Sequence, residues 1–133
     1  MDELVYLSEV ARKHGYDMMR MPDSGDCLRG LSRILSYLRW FRRRMERAKC
    51  VDQVDMLREY TAQYVREMLE SEEVRWYLWG CCGRCEDWPD IVRLLHGLLE
   101  SIEKPVKNMG DAVETIDSIK FYIDELEDYN WTL

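Results

Sequence analysis

Apolar side chains recur every three to four positions through most of this chain, which is the spacing of amphipathic helices rather than strands. The strongest stretch runs from about Asp26 to Ala48, where Leu28, Leu31, Ile34, Leu35, Leu38, Phe41 and Met45 gather on one face. Val54, Leu57, Thr61, Tyr64, Val65 and Met68 repeat the pattern over 51–69, and the short break around Cys50 predicts an antiparallel hairpin between the two. A weaker helix is expected over 2–14 through Leu4, Leu7 and Ala11, with Gly15 as its stop and a connector containing Pro22, Ser24 and Gly25 behind it.

Downstream, Ser71 can cap a short helix through the backbone of Val74. Trp76, Tyr77, Leu78 and Trp79 then show no clean period, which predicts a segment enclosed on most sides. Asp87 followed by Trp88 and Pro89 has the acid-then-proline order of a helix start, and Ile91, Leu94, Leu95, Leu98 and Ile102 form one face behind it. The last helix is expected to open on a capping box made by Asp111 and Glu114, then to carry Ala112, Ile116, Ile119, Ile123 and Leu126 inward. The sum is an all-α fold: a compact antiparallel bundle of five to six helices forming one domain over residues 1–133, a length that suits one hydrophobic core.

Charge changes the picture more than composition does. The net charge of −7 is distributed as −3 over 1–28, +7 over 29–49 and −11 over 50–133. On the helix over 26–48, Arg29, Arg33, Arg43, Arg44 and Arg47 fall away from the Leu/Ile stripe at 100° per residue, and Trp40 projects among them. Arginine offers a planar fork to carboxylate or phosphate, and tryptophan offers stacking area, so Arg33, Arg39, Trp40, Arg43, Arg44 and Arg47 form a candidate partner-binding face. The plainer alternative is that these arginines are solvated or paired with the chain's own acids while Trp40 packs on a neighbouring helix. The outer face of the last helix, with Asp124, Glu125, Glu127 and Asp128, is the second candidate face.

Candidate chemistry is thin. Cys82 and Cys85, with Cys81 beside them, have the two-residue gap of a zinc knuckle or redox dithiol, but no second CxxC or HxxxH pair completes a four-ligand set. No cofactor is expected, with zinc at Cys81, Cys82 and Cys85 the one alternative. The odd number of cysteines suits free thiols in a reducing compartment, cytoplasmic or nuclear. No apolar run is long enough to span a bilayer, and no nucleophile elbow, phosphate-binding glycine loop, HExxH or calcium loop occurs, so neither a membrane role nor an enzyme is expected. His96 is read as solvated or hydrogen-bonded on a helix flank. Trp88 and Trp131 stand at a loop and near the C-terminus, where they would cover a hydrophobic edge or dock on another subunit.

Two fragments, Tyr37-Leu38-Arg39-Trp40 and the run from Pro105 to Ala112, resemble pieces of the poxviral Bcl-2-like family of host-response inhibitors. The resemblance implies a helical fold with a hydrophobic groove. That family continues with further helices after the second fragment, whereas one helix remains here before Leu133, so none of the family's residues is carried over.

Small size, segregated charge and the lack of a catalytic signature together predict a non-enzymatic protein-interaction module. It would be an adaptor or inhibitor, of viral or mobile-element type, binding a protein partner through the basic helix over 29–49, the acidic last helix, or both. A homodimer would also explain the aromatic residues at the chain's edges. Two rivals stay open. One is a nucleic-acid-binding module using the Arg/Trp face, against which the overall acidity argues. The other is an acidic nucleic-acid mimic that blocks the basic cleft of a target protein.

Overall fold

A computed structural model describes residues 20–80 and 85–130. Within them lie five helices: α1 (Ser24–Glu46), α2 (Val51–Leu69), α3 (Glu72–Trp79), α4 (Trp88–Ser101) and α5 (Met109–Glu127). The expected helix over 2–14, residues 81–84 and Trp131 lie outside the described residues.

The helix starts follow local chemistry. Asp23 caps α1 by accepting from the Asp26 N–H at 2.8 Å, while the Asp26 carboxylate accepts from the Asp23 N–H at 3.0 Å. That reciprocal pair moves the start of α1 to Ser24, ahead of the expected Asp26. Ser71 caps α3 through the Val74 N–H, as its position implied. The α5 cap differs from expectation. Asn108, not Asp111, is the N-cap and accepts from the Asp111 N–H at 2.9 Å, while the Asp111 carboxylate reaches back to the Lys107 N–H at 3.0 Å. Asn108 adopts the extended backbone that a cap requires, so the helix begins three residues earlier and Glu114 is left exposed on its second turn.

α1 is the axis of the assembly. Ring contact between Tyr37 and Tyr64, with the short turn over 47–50, places α2 antiparallel beside it, and the pairs Arg33–Glu73 and Gly30–Tyr77 do the same for α3. Arg39 paired with Glu127, and Glu46 with Lys120, lay α5 antiparallel along another side of α1. Leu31, Ile34, Leu35, Leu38 and Met45 from α1 then meet Val65, Trp76, Leu95, Leu98, Ile119 and Ile123 in one continuous core. Each such side chain contributes about 1.5–3 kcal/mol on leaving water.

The aromatic run on α3 splits. Trp76 and Tyr77 are buried and Leu78 partly so, as expected of a segment enclosed on most sides, whereas Trp79 is 39 % exposed and corrects the expectation that it too is buried. With only eight residues, α3 has room for one inward edge, and Arg75 and Trp79, four apart, share the outward one. Trp88 is a core residue rather than a docking aromatic: it is 1 % exposed and stacks on Tyr77 with ring centroids 4.4 Å apart.

Cys27, in the first turn of α1, and Cys85, just before α4, are joined as a disulfide with Cα atoms 5.9 Å apart. This overturns the reading of all five cysteines as free thiols and withdraws the support those thiols lent to a reducing compartment. The sequence could not show it, because 58 positions separate two residues that only the packing of α1 against the α4 start brings together. No helix among the described residues is long and apolar enough to cross a membrane.

Candidate interaction surface

The arginines of α1 divide into two groups by what they touch. Arg33 reaches across to Glu73 of α3, whose carboxylate also accepts from the buried Tyr77 hydroxyl at 2.7 Å. Arg39 sends its Nε and Nη2 to the Glu127 carboxylate at 3.2 and 2.8 Å. Arg33, Arg39 and Glu127 are therefore occupied in holding helices together, and two residues expected on opposite candidate faces bind each other. For these the plainer alternative, pairing with the chain's own acids, holds.

Arg43, Arg44 and Arg47 are different. They have no ion-pair partner among the described residues, although the chain pairs Arg20, Arg29, Arg58, Arg75 and Arg93 with its own acids. All three line a groove of about 570 Å³ between α1 and α2, with Trp40 at one end and Ala48 near the other. The facing wall is Gln53, Met56, Leu57 and Tyr60 of α2. Trp40 does not pack away under a neighbour; it is 43 % exposed, and the Arg44 guanidinium lies over its ring at 4.8 Å from the centroid. Its edge meets Phe41 at 5.2 Å, and Phe41 and Tyr37 both lean on Tyr64, so the indole stands on a braced aromatic base. Met56 and Tyr60 are about half exposed.

This arrangement combines an apolar floor with a cationic rim. Guanidinium groups are weakly hydrated and stack on rings, so Arg44 can stay over Trp40 and still present N–H donors outward. Of the α2 wall only Leu57 was picked out in the sequence, as an inward-facing residue and not as part of a binding face. Met56 and Tyr60 carried the only signal, being an i,i+4 apolar pair outside the Val54–Leu57–Thr61 stripe.

The acidic candidates Asp124 and Glu125 on α5 and Asp128 at its C-cap are exposed and have no ion-pair partner among the described residues. Lys120, the cation on the same helix, is taken up by Glu46 at 2.9 Å, and that bond above all holds the Glu46 carboxyl below its ordinary value, against a smaller effect of burial. Of the cysteine candidates, Cys85 is buried and its sulfur is bonded to Cys27, so in this state it is no thiolate ligand; Cys81 and Cys82 lie outside the described residues. Among the described residues no group of three or more His, Cys, Asp or Glu side chains is placed to hold a metal ion. His96 is exposed on α4.

Compared with known family models, with curated proteins and with solved structures, the chain matches none. The two fragments singled out in the sequence lie in α1 and in the loop and first turn of α5, and none of the comparisons supports the expected likeness.

Proposed function

We propose that this chain is a non-enzymatic protein-interaction module, an adaptor or inhibitor, that seats an acidic, apolar-faced segment of a partner protein in the groove between α1 and α2. It acts by occupancy and needs no metal or cofactor. The reading rests on one observation: three neighbouring arginines beside a half-exposed tryptophan are left without a carboxylate among the described residues, in a chain with 26 acidic residues. A cationic patch on an otherwise acidic molecule repels the wrong partners and steers the right one, while the aromatic and methionine surface supplies area that is costly to leave in water.

Crosslinking and affinity capture with wild-type chain and with an Arg43→Ser, Arg44→Ser, Arg47→Ser variant test it. Partners captured through the groove are lost from the variant and weaken as salt rises, while the circular-dichroism melt stays unchanged. Recovery of the same partners by both proteins refutes the assignment.

The stacking of Arg44 on Trp40 also suits a nucleobase and phosphate, so nucleic acid is the second reading. The net charge of −7 weighs against it, because phosphate affinity grows with accumulated positive potential. A gel shift with single- and double-stranded oligonucleotides decides: a shift that fades steeply with salt and vanishes in the triple variant would transfer the groove to nucleic acid. The acidic-mimic reading would instead require a basic target lost on reversing Asp124, Glu125 and Asp128.

A further inference from the structure

The outer edge of α5 carries the chemistry that the groove lacks. Asp117, Phe121 and Glu125 follow one another at intervals of four, about 40° apart in turn, on the side of α5 away from Ile119, Ile123 and Leu126. Met109 is 69 % exposed, Val113 51 % and Phe121 56 %, which is unusual for a helix whose other edge is fully buried through Ile119, Ile123 and Leu126. Asp117, Asp124 and Glu125 surround Phe121 and have no ion-pair partner among the described residues. One part of the molecule therefore leaves cations unpaired around an aromatic floor, and another leaves carboxylates unpaired around a projecting ring.

The two sets are similar in length. Trp40 to the C-cap Arg47 covers about 10.5 Å of α1 and Asp117 to Glu125 about 12 Å of α5, at 1.5 Å per residue. With Phe121 set between Trp40 and Met56, Asp117, Asp124 and Glu125 would be brought to the groove that Arg43, Arg44 and Arg47 line. They cannot meet within one molecule. α5 is fixed to α1 by its buried edge and by the Arg39–Glu127 and Lys120–Glu46 pairs, so Phe121, on the side opposite Ile119 and Ile123, faces away from the chain's own groove, whereas Met109 and Val113 at the start of α5 line a pocket with Ala48 and Val54.

We infer that the occupant of the groove is α5 of a second copy of this chain, and that two copies pair about a two-fold axis with each α5 edge in the other's groove. This rests on the reading of the groove as a protein-docking site and names its partner. The reciprocal form follows from area: one helix edge in one groove buries less than the roughly 1,200 Å² that stable interfaces need, whereas two such contacts related by symmetry clear it.

Charge reversal gives the test. Variant one carries Arg43→Glu, Arg44→Glu and Arg47→Glu; variant two carries Asp117→Arg, Asp124→Arg and Glu125→Arg. Sedimentation velocity and light scattering read the mass over a range of concentration and salt, with circular dichroism as the check on folding. The wild-type chain runs as a dimer that dissociates as salt rises. Each variant alone is a folded monomer, because like charges now face each other at both contacts. An equimolar mixture regains the dimer, since in the mixed pair one contact is native and the other is fully reversed. A monomeric wild-type chain overturns the inference, as does a mixture that stays monomeric, or a mass that keeps growing with concentration as an open chain. The docking reading has its own fate: if the wild-type chain is monomeric yet loses captured partners on Arg43→Ser, Arg44→Ser, Arg47→Ser substitution, the groove binds a different protein, and if capture is also unchanged both readings fall.

Discussion

Gly30→Ala sets two known effects of opposite sign against each other at one atom. Gly30 lies inside α1, where alanine is worth about 1 kcal/mol more than glycine to a helix. Propensity alone therefore predicts stabilisation. The packing predicts the reverse, because a Cβ built on Gly30 comes within 2.6 Å of Cε2, Cζ and the hydroxyl oxygen of Tyr77. Tyr77 has little room to yield: it is 1 % exposed, stacks on Trp88 at 4.4 Å and donates to Glu73 at 2.7 Å. Forcing an extra methyl into such a site costs about 1–3 kcal/mol, and straining the hydroxyl bond to Glu73 adds about 0.5–1.5 kcal/mol. The net expectation is a loss of about 1–3 kcal/mol. Its centre, about 2 kcal/mol, is a fall in Tm of roughly 6–10 °C for a chain of this size. Thermal and urea unfolding followed by far-ultraviolet circular dichroism measure it, and near-ultraviolet dichroism should report a disturbed Tyr77–Trp88 stack in the folded variant. A Gly30→Ala protein that melts at or above the wild-type temperature would show that α1 and α3 do not meet at this point, and the placement of Glu73 against Arg33 would go with it.

Arg58 is 5 % exposed, ties α2 to the end of α4 by donating to the Ile102 carbonyl at 3.0 Å, and is held within α2 by donating to Asp55 at 2.8 Å; Arg58→Met should cost about 2–4 kcal/mol in urea unfolding, and a loss under about 1 kcal/mol would mean that water replaces the fork freely. The Tyr64 hydroxyl is buried without a hydrogen-bond partner among the described residues, and burial pushes its pKa up, so Tyr64→Phe should leave stability unchanged or raise it by up to about 1 kcal/mol; a clear loss would reveal a partner for that oxygen. The Val106 N–H, bonded at 2.8 Å, does most to hold the Asp55 carboxyl below its ordinary 3.8, burial opposing it and Arg58 adding to it. A carboxyl lowered in the folded state stabilises above its unfolded value of about 3.9 and loses that contribution as pH falls through the lowered one. The stability difference between wild type and Asp55→Asn should accordingly shrink as urea titrations move from about pH 6 to about pH 2, and a difference constant over that range would contradict the bond to Val106.

The helices were legible because their signal is local. Leu31, Ile34, Leu35 and Leu38 recur at the pitch of a helix, Ser71 offers its oxygen three residues ahead, and neither fact depends on distant parts of the chain. Even where local signals misled, the competition was local: Asp111 and Asn108 both offer a carboxylate or amide oxygen, and the backbone geometry of Asn108 decided between them. Four of the six residues of the arginine–tryptophan face could be drawn in the same way, since 100° per residue sets Trp40, Arg43, Arg44 and Arg47 on one side of α1.

What the sequence could not settle was which of those charges are taken. Arg33 and Arg39 look like Arg43 and Arg44 on a helical projection, yet Glu73 lies 40 positions from Arg33 and Glu127 lies 88 positions from Arg39. The same holds for Cys27 and Cys85, for Trp88 against Tyr77, and for the α2 wall that turns a row of arginines into a groove. Periodicity along the chain determines which side of each helix is apolar. The pairing of one helix's outer side with another's is a contact between distant residues, and it exists only after the apolar sides have packed and fixed every helix in place.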